Sequence, residues 1–353
     1  MKKILFALMI ICCYGCSNNN IKIGVVLALT GDLSSYGQAI KQGIDLAYDE
    51  LSQDNVDIIY MDSQGASTNA VSALYSLINL HRVQFVIGDV SSSTTLSMIP
   101  IIDKNNIFLL SPGAATPELT NISPLFARNY PSSTDESVQS ANFIYNKITS
   151  NNVASIYSND DYGSGLFKEF KDAYNDQGGK VCFEESYKTG TTQFREIILK
   201  LRNTPFDCLY LSGNQREMGA FIKQYKEYGL TQPVVANMAF LEKDCLEVAG
   251  QYADNVIIPI VQYQVENDNP FIQKFKHKYN SQPTMVNALG YDALNIIMQG
   301  ITKSDNTPSG VATYVRNLRN YDGAMGKLHF KDGNVVVPIE FKTIINGNIV
   351  DYN

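Results

Sequence analysis

The 353-residue chain carries only three histidines, His81, His277 and His329. None stands at metal-ligand spacing or beside a Ser or Cys nucleophile turn, and Gly-x-Ser-x-Gly is absent. His277, inside Lys274-Phe275-Lys276-His277-Lys278, has the surroundings of a solvated helix residue. Tyr162-Gly163-Ser164-Gly165 follows a strand pattern and opens a helix, with Glu184-Glu185 about twenty residues on, which is half of a dinucleotide fingerprint. Lys168 replaces the third glycine, where close packing needs a small residue. Asn159-Asp160-Asp161 also puts negative charge where a pyrophosphate would sit. No cofactor, metal or catalytic residue is therefore expected, and the chain reads as a non-enzyme.

What remains is a set of polar loops at the C-terminal ends of strand patterns, where open α/β sheets bind ligands. In the first half these are 30–37, 91–95 and 111–117. In the second half they are 160–163, 214–215 and 237–238. Hydroxyls before helix starts offer free backbone N–H groups and a favourable dipole to a carboxylate or carbonyl oxygen. One such cluster is an ordinary helix cap; several at equivalent strand ends in two halves describe a cleft.

The elements that must position these loops alternate. Buried strand runs at 22–29, 56–62, 85–90 and 107–111 are separated by helical faces such as Ile40, Ile44, Ala47, Leu51 and Val71, Leu74, Ile78. After Asn129-Tyr130-Pro131 the pattern restarts, with strands at 153–158, 180–185, 206–212, 233–237 and 256–260. Helices fall between them at 165–177, 192–202, 216–228 and 242–250. This alternation specifies doubly wound α/β layers. The closing third breaks the rhythm with helices at 270–279, 288–302 and 311–318. Alternating strands follow at 327–330 and 335–343, then an Asn346-Gly347 turn before 348–352. Such an ending suits a chain that returns to finish both halves.

Ser91-Ser92-Ser93-Thr94 followed by Leu110-Ser111-Pro112-Gly113-Ala114-Ala115-Thr116-Pro117-Glu118-Leu119-Thr120 resembles the first lobe of the leucine/isoleucine/valine-type periplasmic binding proteins. Ile23-Gly24-Val25, Thr30-Gly31, Tyr36-Gly37, Asp161-Tyr162-Gly163-Ser164-Gly165 and Glu217-Met218-Gly219 extend the resemblance from about 21 to 341. It implies a two-lobed type I fold, each lobe a doubly wound, mainly parallel sheet flanked by helices, with three crossovers at the hinge near 130–132, 259–263 and 336–338. Residues 21–130 plus 263–337 then form lobe 1, and 131–262 plus 338–353 form lobe 2. The implied function is capture of a small solute for an ABC importer permease, by a monomer; a ligand-sensing module coupled to a membrane signalling partner is the alternative.

The resemblance also implies ligand residues. On lobe 1 these are Tyr36, Ser91, Ser92, Gly113, Ala114, Ala115 and Thr116; on lobe 2 they are Tyr162, Asn214, Asn237 and Met238. Two positions depart from the amino-acid-binding pattern. Ala115 lacks the hydroxyl expected beside the ligand carboxylate. The acidic partner of the ligand ammonium aligns near Asn237-Met238, which carry no charge. A buried ammonium without a counter-charge is costly, so a neutral or monocarboxylate solute is expected unless Asp160 or Asp161 substitutes.

Composition fits an exported binder. The formal net charge is −7, no basic block appears, and nucleic acid is not an expected partner. Lys2 and Lys3 precede an apolar run over 4–11 too short to span a bilayer, and Gly15 is a small residue just before Cys16. This resembles a lipoprotein signal over 1–15 with lipidation at Cys16 and a polar tether over 16–20. The other reading is an ordinary secretory signal with an incidental cysteine; either exports the chain, and the first anchors it to the cell envelope. Beyond Cys16 only Cys182, Cys208 and Cys245 remain, as buried thiols or with at most one disulfide.

Overall fold

The computed structural model describes residues 20–51, 55–261 and 269–352. The leader, Cys16 and part of the second crossover lie outside them. The first sheet begins with β1 (Ile21–Leu27), β2 (Val56–Asp62), β3 (Phe85–Gly88), β4 (Phe108–Ser111) and β5 (Phe126–Arg128), parallel throughout in the order β2-β1-β3-β4-β5. Helices α1 (Ser34–Glu50), α2 (Ser67–Ser76) and α3 (Ser92–Asn105) make the crossovers. Ile40, Ile44 and Ala47 of α1 are fully buried on one face, as the helical spacing requires.

Residues 129–132 then cross to the second sheet. It contains β6 (Asn152–Ser158), β7 (Lys180–Tyr187), β8 (Cys208–Ser212), β9 (Val234–Ala236) and β10 (Val256–Val261). These are also parallel, in the equivalent order β7-β6-β8-β9-β10. Its helices are α4 (Ser133–Phe143), α5 (Asp161–Asp176), α6 (Arg195–Arg202), α7 (Gln215–Glu227) and α8 (Lys243–Ala249).

The chain returns to the first sheet through α9 (Pro270–Tyr279), α10 (Met285–Lys303) and α11 (Pro308–Arg316). Strands β11 (Tyr321–Gly323), β12 (Gly326–Lys331) and β13 (Asn334–Val336) extend that sheet beyond β5. Finally β14 (Ile339–Ile345) pairs antiparallel with β10, and β15 (Asn348–Asp351) closes the second sheet. The run expected as one strand over 335–343 is thus two strands in two sheets. Pro338 has no N–H to continue a ladder, and Val337-Pro338 is the third crossover. Asn346 and Gly347 both have positive φ, as a two-residue hairpin turn demands.

Each sheet has its own apolar core: Ile23, Val86, Phe108, Leu289 and Phe330 in one, Ile156, Leu209, Phe221 and Phe240 in the other. Cys182, Cys208 and Cys245 are free thiols. Among the described residues no helix is long and apolar enough to cross a membrane, and no group of three His, Cys, Asp or Glu is placed to hold a metal.

Candidate functional site

Strand order reverses between β1 and β3 in the first sheet and between β6 and β8 in the second, which marks a ligand crevice at each set of C-terminal strand ends. The two crevices face each other across one cavity of about 510 Å³. Tyr36, Ser91, Ser92, Gly113, Tyr162 and Asn214, all expected there, line it, together with Tyr130, Asp160, Gly190, Gln215 and Glu217. The lips touch where Ser35 Oγ donates to Gln215 Oε1 at 3.4 Å.

On the first lip, Ser91 precedes α3, whose first turn contains no acidic residue and receives no side-chain cap. The N–H groups and positive dipole end of this 14-residue helix are therefore left for an anion or carbonyl oxygen. Ser92 is nearly buried, and its Oγ accepts from the N–H groups of Ala115 (3.3 Å) and Thr116 (3.1 Å). Ala114 N–H goes to Ser111 Oγ at 3.0 Å. The structure therefore gives Ala114, Ala115 and Thr116 a role behind the wall rather than on it: their N–H groups fasten the loop to Ser111 and Ser92. Thr116 Oγ1 is buried against Gly165 of α5 without a hydrogen-bond partner.

Beneath this loop lies Arg128, fully buried at the end of β5. Its guanidinium donates to Thr116 O (2.8 Å), Thr120 Oγ1 (2.9 Å) and Asn334 Oδ1 (2.7 Å). Burial lowers its pKa to about 10, which leaves it cationic near neutrality.

The second lip is acidic. Asp160 caps α5 by accepting from Gly163 N–H at 2.8 Å, and its oxygens also receive Ser158 Oγ, Thr189 Oγ1 and, at 2.6 Å, Asn214 Nδ2. Asp161 is exposed and does not line the cavity. Glu217 stands in the first turn of α7, and its Oε1 accepts from Gly190 N–H at 2.6 Å.

Asn237 and Met238 also sit behind the wall. Asn237 is fully buried; its Oδ1 accepts from Gly213 N–H, and its Nδ2 donates to Gly213 O and to the Tyr162 hydroxyl at 2.8 Å. It holds Tyr162 in place. Met238 faces a second hollow of about 610 Å³, lined by Glu242, Leu246, Val261 and Met285. That hollow is mostly apolar, and the α10 start beside it is closed by the Thr284–Asn287 capping box. The polar, two-sided crevice is the better site although it is the smaller.

Met238 N–H donates to Glu136 Oε1 at 2.6 Å, so a carboxyl group occupies this place from α4. Sequence reading placed 214–215 in the cleft but missed the cavity-lining Tyr130 and Glu217. Glu217 was visible as the acidic residue three positions after Asn214, where a first helical turn follows a strand end.

A sequence model of the periplasmic binding protein family matches residues 20–346. The Leu/Ile/Val-binding protein of Escherichia coli strain K12 is 24% identical over 331 residues, covering 91% of this chain and 89% of its own. A leucine binding protein from Thermotoga maritima superposes with a TM-score of 0.87 at 22% identity, over 94% of this chain and 99% of the other. A branched-chain amino acid transporter substrate binding protein from Streptococcus pneumoniae, solved with isoleucine, gives 0.84 at 23% identity over 94% and 97%. The match over residues 20–346 places the chain in the periplasmic binding protein family, whose members are non-enzymatic, extracytoplasmic solute binders serving ABC transporter permeases.

Proposed function

We propose that this chain is a lipid-anchored solute receptor of an ABC importer that captures a small polar organic solute, amino acid-like, amide or carboxylate, by closing two lobes around it. The lobes are 21–130 plus 263–337 and 131–262 plus 338–353, and the anchor is Cys16. The observation that carries the reading is the single cavity between an open α3 N-terminus on one lip and carboxylate-bearing loops on the other. An oxyanion or carbonyl of the solute is held by the first turn of α3 with Ser91 and Ser92. Tyr36, Tyr130 and Tyr162 supply apolar walls with polar tips. Burial keeps the Tyr36 and Tyr162 phenols well above their ordinary pKa, so they remain neutral donors. The names of the Escherichia coli and Streptococcus pneumoniae relatives support a solute of amino-acid size.

Mass spectrometry of small molecules released on denaturing the purified protein, followed by calorimetry and solution scattering with each, tests this. A bound solute whose addition shrinks the radius of gyration is expected, since hinge closure is the mode such clefts use. No released solute, and a scattering profile indifferent to amino acids, amides and carboxylates, would contradict it. Loss of membrane attachment in Cys16→Ser tests the anchor.

A further inference from the structure

The Tyr162-Gly163-Ser164-Gly165 run puts two glycines near the start of α5. Gly163 packs against Ser158, which ends β6 of its own sheet, whereas Gly165 packs against the other half of the molecule. A Cβ at Gly165 would lie 2.9 Å from Pro117 Cδ and 3.0 Å from Thr116 Oγ1, both in the loop that follows β4. The first distance is closer than a Cβ can come, and the obstacle is a rigid ring. Glycine is what lets the two sheets approach here.

Neither side of this seam can give way locally. Thr116 N–H donates to Ser92 Oγ at 3.1 Å, and Thr116 O accepts from the Arg128 guanidinium at 2.8 Å. On the other side, Asp160 caps α5 through Gly163 N–H at 2.8 Å, and Ser137 Oγ of α4 donates to Leu166 O at 2.9 Å. The loosest coordinate left is the angle between the two sheets. Ala115 O accepts both the N–H and the Oγ of Ser133, each at 2.8 Å, which puts the seam beside the first crossover. A small displacement so near the pivot becomes a larger one at the mouth, where Ser35 Oγ and Gln215 Oε1 meet at 3.4 Å. Thr116 Oγ1 acts in the opposite sense. It is buried in the seam without a hydrogen-bond partner, so closing strips a hydroxyl of water and gives it nothing in exchange.

We propose that Gly165 and Thr116 form the stop that sets how far the two lobes close and what closure costs, a cost that the bound solute offsets. This rests on the reading of the chain as a hinge-closing solute receptor. Neither residue lines the cavity. Both are positioning residues: they act on the solute through the closure angle, Gly165 by permitting the approach and Thr116 by opposing it.

The test combines calorimetry, urea unfolding and solution scattering. The probe is L-leucine or, where leucine does not bind, the small molecule recovered from the purified protein. Gly165→Ala should weaken binding at least about tenfold, and saturation should shrink its radius of gyration less than that of wild type. Its urea midpoint should not fall, because Ala inside α5 favours the helix and the hinge absorbs the overlap. Thr116→Val keeps the shape and removes the stranded hydroxyl, so it should act the other way. Binding tighter by about fivefold and a smaller radius of gyration without solute are expected. Shifts of the same sign in both variants, or affinities within about twofold of wild type in both, overturn the proposal. So does a Gly165→Ala midpoint below that of wild type, which would put the clash inside one lobe. A wild type that binds without contracting overturns the hinge reading and this proposal with it; a contracting wild type beside unaffected variants overturns the proposal alone. If nothing binds the wild type, a solute-free Thr116→Val scattering profile equal to that of wild type overturns it.

Discussion

The two lips of the cleft share a topology and differ in the charge at their helix starts, although Asp32 lines the first lip and Arg216 the second. Each follows a strand at the reversal point of a parallel sheet and leads into a helix, α3 on one side and α7 on the other. The first turn of α3 has no acid and no side-chain cap, as does that of α1. The first turn of α7 contains Glu217, and α5 has Asp160 as its cap with Asp161 behind it. One lobe leaves its helix dipoles for a guest; the other fills them with its own carboxylates. The buried ionisable groups do not follow suit: Arg128 and Asp89 both lie under the first lip, and Glu136 lies behind the second. On the proposed reading, the shared topology fixes where a solute sits, and the charges at the helix starts decide which way round it lies.

Removing the buried cation should have the largest effect. Arg128→Met would leave Thr116 O, Thr120 Oγ1 and Asn334 Oδ1 without their donor. At about 1.5–3 kcal/mol for a hydrogen bond to a charged group, a loss of at least about 3 kcal/mol is expected in urea unfolding. A loss below about 1 kcal/mol would mean that the loop holds itself without the charge.

Gly37 and Gly163 test the shared topology. Both pack in a first helical turn against the residue that ends or follows the preceding strand. A Cβ would lie 2.0 Å from Ala28 O at Gly37, and 2.1 Å from Ser158 Oγ and 2.5 Å from Ser158 O at Gly163. Val at either position should cost about 1–3 kcal/mol as overpacking. Gly37→Val should be the worse, because its nearest obstacle is backbone, whereas at Gly163 the nearest is the Ser158 hydroxyl. Equal unfolding midpoints for wild type and both variants would break the equivalence.

A smaller effect is expected from pH. Burial raises the pKa of Glu136 to about 8, of Glu242 to about 7 and of Asp292 to about 7. These groups take up protons on folding. Their stabilisation is fully present below the ordinary carboxylate values, and it is lost as pH rises through about 7 to 8. The melting temperature of the empty protein should fall between pH 5 and pH 8.5, and Glu136→Gln should flatten part of that slope. A melting temperature that climbs over this range would contradict the raised values.

Much of this was legible in the sequence because buried parallel strands are apolar runs and α1 shows a clean apolar face. Helix α4 was not: its buried face is Ser133, Glu136, Ser137, Ser140 and Ala141. A helix that buries serines and a carboxylate has no hydrophobic period to detect, and Glu136 was hidden with it. The three-residue strand β5 was too short to announce itself. At 237–238 the position was legible but not the role, because Asn237 spends its amide on Gly213 and Tyr162 while Met238 faces another hollow. Residue type located the wall; only the fold showed which side chains face through it.

The central claim is that the solute's anionic end seats on the first lip alone. Ser93→Asp would place a carboxylate in the open first turn of α3, and Arg216→Asp would place one in the corresponding turn of α7; both positions line the cavity. Calorimetry with the co-purified solute compares them directly. Ser93→Asp should weaken binding by at least about 100-fold, which is about 2.8 kcal/mol, because a resident charge then fills the dipole site; Arg216→Asp should stay within about threefold. Equal losses in both variants, or a greater loss in Arg216→Asp, would contradict the account.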